Sequence, residues 1–174
     1  MNFSAITALS PLDGRYHVKV ESLRFYFSEF ALIRYRVQIE VVWLKALSNE
    51  AGIIEIPSFS TATNTQLDNL VVNFSIADAK AIKAIEATTN HDVKAIEYWL
   101  KQALSNNAEI TQAAEFIHFA CTSEDINNLS HGLMLQASLE QVMLPALDKI
   151  IVRLVALAHQ LADVPMLART HGQP

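Results

Sequence analysis

Glycine and proline are scarce in this 174-residue chain, four and five respectively, which suits long helices joined by few tight turns. Charge is sparse as well: 18% of residues are charged and 51% apolar, and that balance excludes general disorder. A net charge of −5 gives no general attraction to nucleic acid or to an anionic membrane, although it leaves room for a locally basic cleft. One cysteine, Cys121, excludes an intrachain disulfide and fits a reducing compartment. Beside Phe119 and Ala120 it reads as a small buried hydrophobe rather than a reactive thiol. No uninterrupted apolar window approaches the roughly 20 residues of a spanning helix, and no basic segment followed by an apolar run opens the chain. A soluble cytoplasmic protein is therefore expected. The six histidines are scattered, with no H-E-x-x-H, so no metal site is expected; G-x-G-x-x-G, Walker and G-x-S-x-G motifs are also missing.

What is present is apolar periodicity. Val18 to Leu47 reads as one long helix with apolar residues on most faces, closed by Asn49 and a left-handed Gly52. Shorter helices follow over Asn64–Phe74 and Ala77–Ala87, the second started by a Ser75/Asp78 capping box. His91 to Leu104 continues with Val93, Ile96, Leu100 and Leu104 three or four residues apart. Glu109–Ala120 reads as a further helical segment. Glu124 to Leu161 then carries the pattern for on the order of 55 Å, with a bend predicted near Gln141 because Pro145 removes one hydrogen bond. So long a helix needs equally long partners, and self-association is expected.

Polar side chains gather at four corners of this helical chain. Arg15 and Tyr16 follow Asp13-Gly14 and suit a phosphate or carboxylate, or else form a solvated arm. Asn90 can cap the helix that follows, with Asp92 in its first turn, while His91 has no evident local duty. Thr122-Ser123-Glu124-Asp125-Ile126-Asn127-Asn128 opens the longest helix. Ser123 has the chemistry of its N-cap, and the surplus of hydrogen-bonding groups predicts an anion site. Arg169, Thr170, His171 and Gln173 cluster around Gly172. His131 and His159 read as ordinary helix residues.

Four stretches carry a resemblance. SPLDGRY (Ser10–Tyr16), TTNHDVKAIEY (Thr88–Tyr98), EFIHFACTSEDINNLSHGLM (Glu115–Met134) and RTHGQP (Arg169–Pro174) are similar, in order and spacing, to the adenylosuccinate lyase family of the fumarase/aspartase superfamily, in its bacterial form. The resemblance covers essentially the whole chain. It implies an all-α fold, with an N-terminal helical domain over residues 1–110 and the beginning of a long central bundle over 111–174. It also implies a homotetramer with shared active sites, no cofactor, and β-elimination of fumarate from adenylosuccinate and from succinylaminoimidazole carboxamide ribotide. By the same resemblance Arg15 and Tyr16 bind the nucleotide phosphate. Asn90, His91 and Asp92 line the site; Thr122 and Ser123 hold the succinyl carboxylate; Thr170 and Gln173 contribute to binding; His171 is the general acid.

The family's general base is a serine in a G-S-S-x-M-P-x-K-x-N-P loop, and these 174 residues contain no such sequence. The resemblance thus implies an N-terminal piece that is inactive alone. Two other readings are argininosuccinate lyase or fumarase, which typically carry leucine where Gly172 stands, and a non-catalytic helical assembly module. A scaffold needs helix caps but not a Thr-His-Gly-Gln cluster.

Overall fold

The computed structural model describes residues 4–167 and His171. Thr170 and Gln173, both expected in the site, lie outside the described residues, as do Arg169 and Gly172. Among the described residues every regular element is helical and no strand occurs, so the chain is all-α. A 3-10 turn at Glu21–Leu23 leads into α1 (Arg24–Phe27), followed by α2 (Glu29–Ser48), α3 (Thr61–Val72), α4 (Ile76–Thr89) and α5 (Asp92–Ala103). Then come α6 (Ala108–Gln112), a 3-10 turn at Ala114–Phe116, α7 (Ser123–Ser138), a π turn at Leu139–Met143 and α8 (Leu144–Gln160).

The helix expected from Val18 begins only at Glu29. Ser28 is extended (φ −79°, ψ 166°), and its hydroxyl accepts from the Ala31 amide at 3.2 Å. A serine that satisfies a free first-turn donor starts a helix rather than continuing one, and the phenylalanines around it hide that signal. Gly52 is not the stop. Asn49 closes α2 by donating its amide to the Ala46 and Leu47 carbonyls, and Gly52 does not enter the left-handed region. Ser60 starts α3 three residues early by accepting from Thr63 at 3.2 Å. The Ser75/Asp78 capping box forms as expected. Glu109–Ala120 holds only α6 and one 3-10 turn, because His118 (φ 66°) and Ala120 (φ 59°) adopt the left-handed backbone.

The chain forms two compact units, Met1–Ala137 and Ser138–Pro174. In the first, Val37, Leu44 and Leu47 of α2 pack with Leu67, Ile82, Ile96 and Leu100 from α3, α4 and α5. Phe74 stacks at 5.8 Å on Phe30 and meets Trp99 edge-on at 5.5 Å. Burying each of these large side chains is worth about 1.5–3 kcal/mol. In the second unit, the π turn at Leu139–Met143 precedes Pro145. Widening the hydrogen-bond ladder there accommodates the amide that proline lacks. No residue of α8 is buried, and Leu147, Ile150, Ile151, Leu154 and Val155 are each at least half exposed. Among the described residues no helix is long and apolar enough to cross a membrane.

Candidate active site

One face of α2 organises two of the expected corners. Arg36, Glu40 and Trp43 are spaced four and three apart, so they stack along that face. Arg36 reaches Asp92 Oδ2 with its terminal nitrogen at 2.7 Å and donates through Nε to Asn127 Oδ1 at 2.8 Å. Glu40 lies 2.6 Å from His118 Nδ1, and Trp43 donates its indole N–H to the Phe119 carbonyl at 2.8 Å. Between Arg36 and Glu40, Ile39 packs with Val93 and Ile126, with Cys121 and Leu133 at the edge. The start of α5, the start of α7 and the loop 117–122 are thereby fastened to one helix. Apolar density in α2 concealed this stripe, although the spacing of its hydrogen-bonding side chains was the available signal.

At the α5 corner the structure reassigns the caps. Asn90 does not cap α5; it ends α4 in the left-handed conformation (φ 51°, ψ 31°), donating its amide to Glu86. His91 is the N-cap, with Nδ1 accepting from the Lys94 amide at 3.1 Å. An accepting Nδ1 places the proton of the neutral ring on Nε2, the atom left to meet a ligand. Asp92 Oδ1 stands 3.9 Å from that same Nδ1, but the nitrogen lone pair is already used and no ion pair follows. Burial acts to raise the Asp92 pKa. The Val93 amide and the Arg36 guanidinium outweigh it and hold the carboxyl below its ordinary value.

At the α7 corner Ser123 is the first helical residue, and Thr122 stands at the boundary. The Thr122 amide and hydroxyl both donate to Asp125 Oδ2, at 2.7 and 2.8 Å, lowering the Asp125 pKa. A capping side chain three residues into the helix explains why the boundary falls one residue before Ser123. The hydroxyl expected to grip a carboxylate is therefore engaged within its own turn. Cys121 is partly buried; its thiol is pushed up by burial, with Glu40 and Asp125 adding to the effect, which suits an inert residue.

Arg15 and Tyr16 lie elsewhere. Their turn is tight: a Cβ at Gly14 would meet the Ala5 carbonyl at 2.7 Å, so only glycine fits without a shift. Both side chains are exposed, the guanidinium 4.7 Å from the Tyr16 ring centre. Among the described residues no bond joins them to the α5 or α7 corner. His171 is exposed and left-handed, with φ 53°. Among the described residues no group of three His, Cys, Asp or Glu side chains is arranged to hold a metal ion. The two joined corners offer an imidazole, hydroxyls and two helix N-termini, an arrangement suited to anions.

Glu40 is the unforeseen residue. It is 1% exposed, and its second oxygen, Oε2, has no hydrogen-bond partner. Burial raises its pKa above the ordinary 4.5, opposed by the bond and charge of His118 and reinforced by Glu97. A raised folded-state value means that Glu40 contributes stability when protonated, and that this contribution is lost as pH rises through it. Glu40→Gln, which cannot ionise, should therefore gain on the wild type in melting temperature as pH rises above 4.5. A difference that is constant or shrinks with pH in paired thermal melts would contradict this assignment.

A family model described as lyase matches residues 14–174. Adenylosuccinate lyase from Haemophilus influenzae is 56% identical over all 174 residues, and that from Escherichia coli K12 is 52% identical over the same span. The enzyme of Vibrio cholerae is also 52% identical. In each case the match takes in 38% of the relative's own length, so the chain spans well under half of the curated relatives. With all but a short N-terminal stretch of its residues accounted for by that model, the chain belongs to the lyase family.

Proposed function

We propose that the whole protein is an adenylosuccinate lyase. It eliminates fumarate from adenylosuccinate to leave AMP, and from succinylaminoimidazole carboxamide ribotide, in purine nucleotide biosynthesis. The observation that carries this reading is identity of 52–56% to adenylosuccinate lyases across every one of the 174 residues. Those relatives favour it over argininosuccinate lyase, fumarase or a non-catalytic scaffold.

The chemistry asks for an acid on the departing nitrogen and fixed donors at the carboxylate beside the carbon that loses its proton. Charge accumulates on that carboxylate in the transition state, so donors aimed there stabilise it more than the ground state. In this reading His171 is the acid, and Thr122 and Ser123 are the carboxylate donors. Thr122 then exchanges its Asp125 partner for substrate, a trade made easy by the exposed position of that pair. Asn90, His91 and Asp92 line the same pocket, His91 offering the N–H of Nε2. Arg15 and Tyr16 take the phosphate, and Thr170 and Gln173 complete the substrate contacts. The base is a serine of the family's loop signature, which these residues do not contain.

The reading extends to assembly. Residues 1–110 act as an N-terminal helical domain, and 111–174 begin the central bundle of a homotetramer with shared sites, without a cofactor. The uncovered apolar residues of α8 support association. A cytoplasmic location accords with the single cysteine.

The test is an assay of the full-length protein. Adenylosuccinate should yield fumarate and AMP in equal amounts. Arg15→Ala should weaken nucleotide binding by about 1.5–3 kcal/mol, the scale of a hydrogen bond to a charged group. Release of fumarate from argininosuccinate but not from adenylosuccinate would overturn the assignment.

A further inference from the structure

Arg36 was not among the residues that the sequence singled out, yet it lies between two of the expected corners. Its side chain is 7% exposed, and its guanidinium is shared between Asp92, the first residue of α5, and Asn127, in the second turn of α7. The next residue on the same face, Ile39, touches the sequence neighbours of both partners, Val93 and Ile126. Polar and apolar contacts thus repeat one junction: a single face of α2 sets the spacing and rotation of two helix N-termini.

A stable junction does not require an arginine. Burying a guanidinium costs several kcal/mol in desolvation, and a well-packed apolar side chain often serves stability equally well or better. What an apolar side chain lacks is direction. The planar fork aims two donors at fixed angles and holds each acceptor in one rotamer. Here one acceptor is the carboxylate of Asp92, adjacent to the cap residue His91. The other belongs to the helix that begins at Thr122–Ser123.

We propose that Arg36 is a positioning residue that holds the starts of α5 and α7 at the separation needed to bind one anionic substrate between them. The proposal rests on the reading above for its substrate. It acts through Asp92 and Asn127, with no substrate contact of its own. Lysine at this position carries the charge but has no planar fork, so it does not fix the angle between the two partners. Methionine fills the space and satisfies neither.

The experiment compares Arg36→Lys, Arg36→Met and Asn127→Ala in the full-length protein, with steady-state kinetics on adenylosuccinate and thermal melts. Arg36→Met should lower kcat/KM by about 10²-fold, the scale of a 1 Å misplacement, with a rise in KM, at temperatures where the variant is fully folded. Arg36→Lys should recover only part of that loss. Adding Asn127→Ala to Arg36→Met should cost much less than Asn127→Ala costs alone, because the bond to Arg36 is already gone and only the 3.4 Å bond from Asn127 to Glu124 remains to be lost. Unchanged KM with kcat falling only in proportion to unfolded protein, or strictly additive losses, would overturn the proposal.

A second arm does not depend on the substrate. Amide exchange at Ala95, bonded to the His91 carbonyl, and at Asp125, bonded to the Thr122 carbonyl, should rise together in Arg36→Met. Exchange that rises at neither, or at one alone, overturns the clamp whatever the enzyme acts on. A wild-type protein that does not act on adenylosuccinate, paired with coupled exchange changes, overturns the functional reading and leaves the clamp standing.

Discussion

In the full-length protein, His171→Ala should reduce kcat for fumarate release by about 10²–10⁴-fold, the usual worth of positioned acid–base assistance. Folding should be untouched. His171 is exposed in a turn, so its side chain leaves no cavity when truncated. The measurement is a pair: steady-state rates with saturating adenylosuccinate, and thermal melts of both proteins. A general acid acts on the departing amine in the transition state, so kcat should fall much more than KM changes. Loss of binding with kcat preserved would make His171 a substrate contact instead.

The second large effect is an expected one: the 174-residue polypeptide by itself should not turn over adenylosuccinate. On the proposed reading, elimination needs a base at carbon and an acid at nitrogen on opposite sides of the breaking bond, and of the two these residues would supply only the acid. The described structure also leaves Arg15 and Tyr16 unconnected to the α5 and α7 corners. Groups that are present but misplaced contribute little, since misplacement by about 1 Å can cost 10²-fold. Mixing this polypeptide with a separately produced C-terminal piece bearing the serine loop should restore fumarate release, and His171→Ala in the first piece should abolish it. Turnover by the 174-residue polypeptide alone would mean that one of its own residues is the base. Restoration that survives His171→Ala would move the acid to the other piece.

How much of this was legible in the sequence follows from which interactions are local. Helix existence was legible, because side chains three and four residues apart share a face whatever they pack against. The Ser75/Asp78 box was legible for the same reason: donor and acceptor are three residues apart. Caps hidden by composition were not. Ser28 interrupts a run of aromatic residues that periodicity reads straight through. At the α5 corner the sequence offers Asn90 as the cap, and its replacement by His91 turns on backbone conformation. Asn90 tolerates the left-handed region and takes the end of α4, which leaves the cap to His91.

The candidate site divides along the same line. Residue types at the corners and their order along the chain were enough to mark Arg15, His91, Thr122 and His171, because such chemistry is written in short stretches. The sequence by itself determined an all-α chain whose polar residues collect at helix ends. Only the tertiary structure decided that Arg36 bonds Asn127 across 91 positions and that Glu40 is buried against His118 across 78. A buried charge is stable only where distant partners converge on it, and that convergence depends on how α2, α5 and α7 pack rather than on the local sequence.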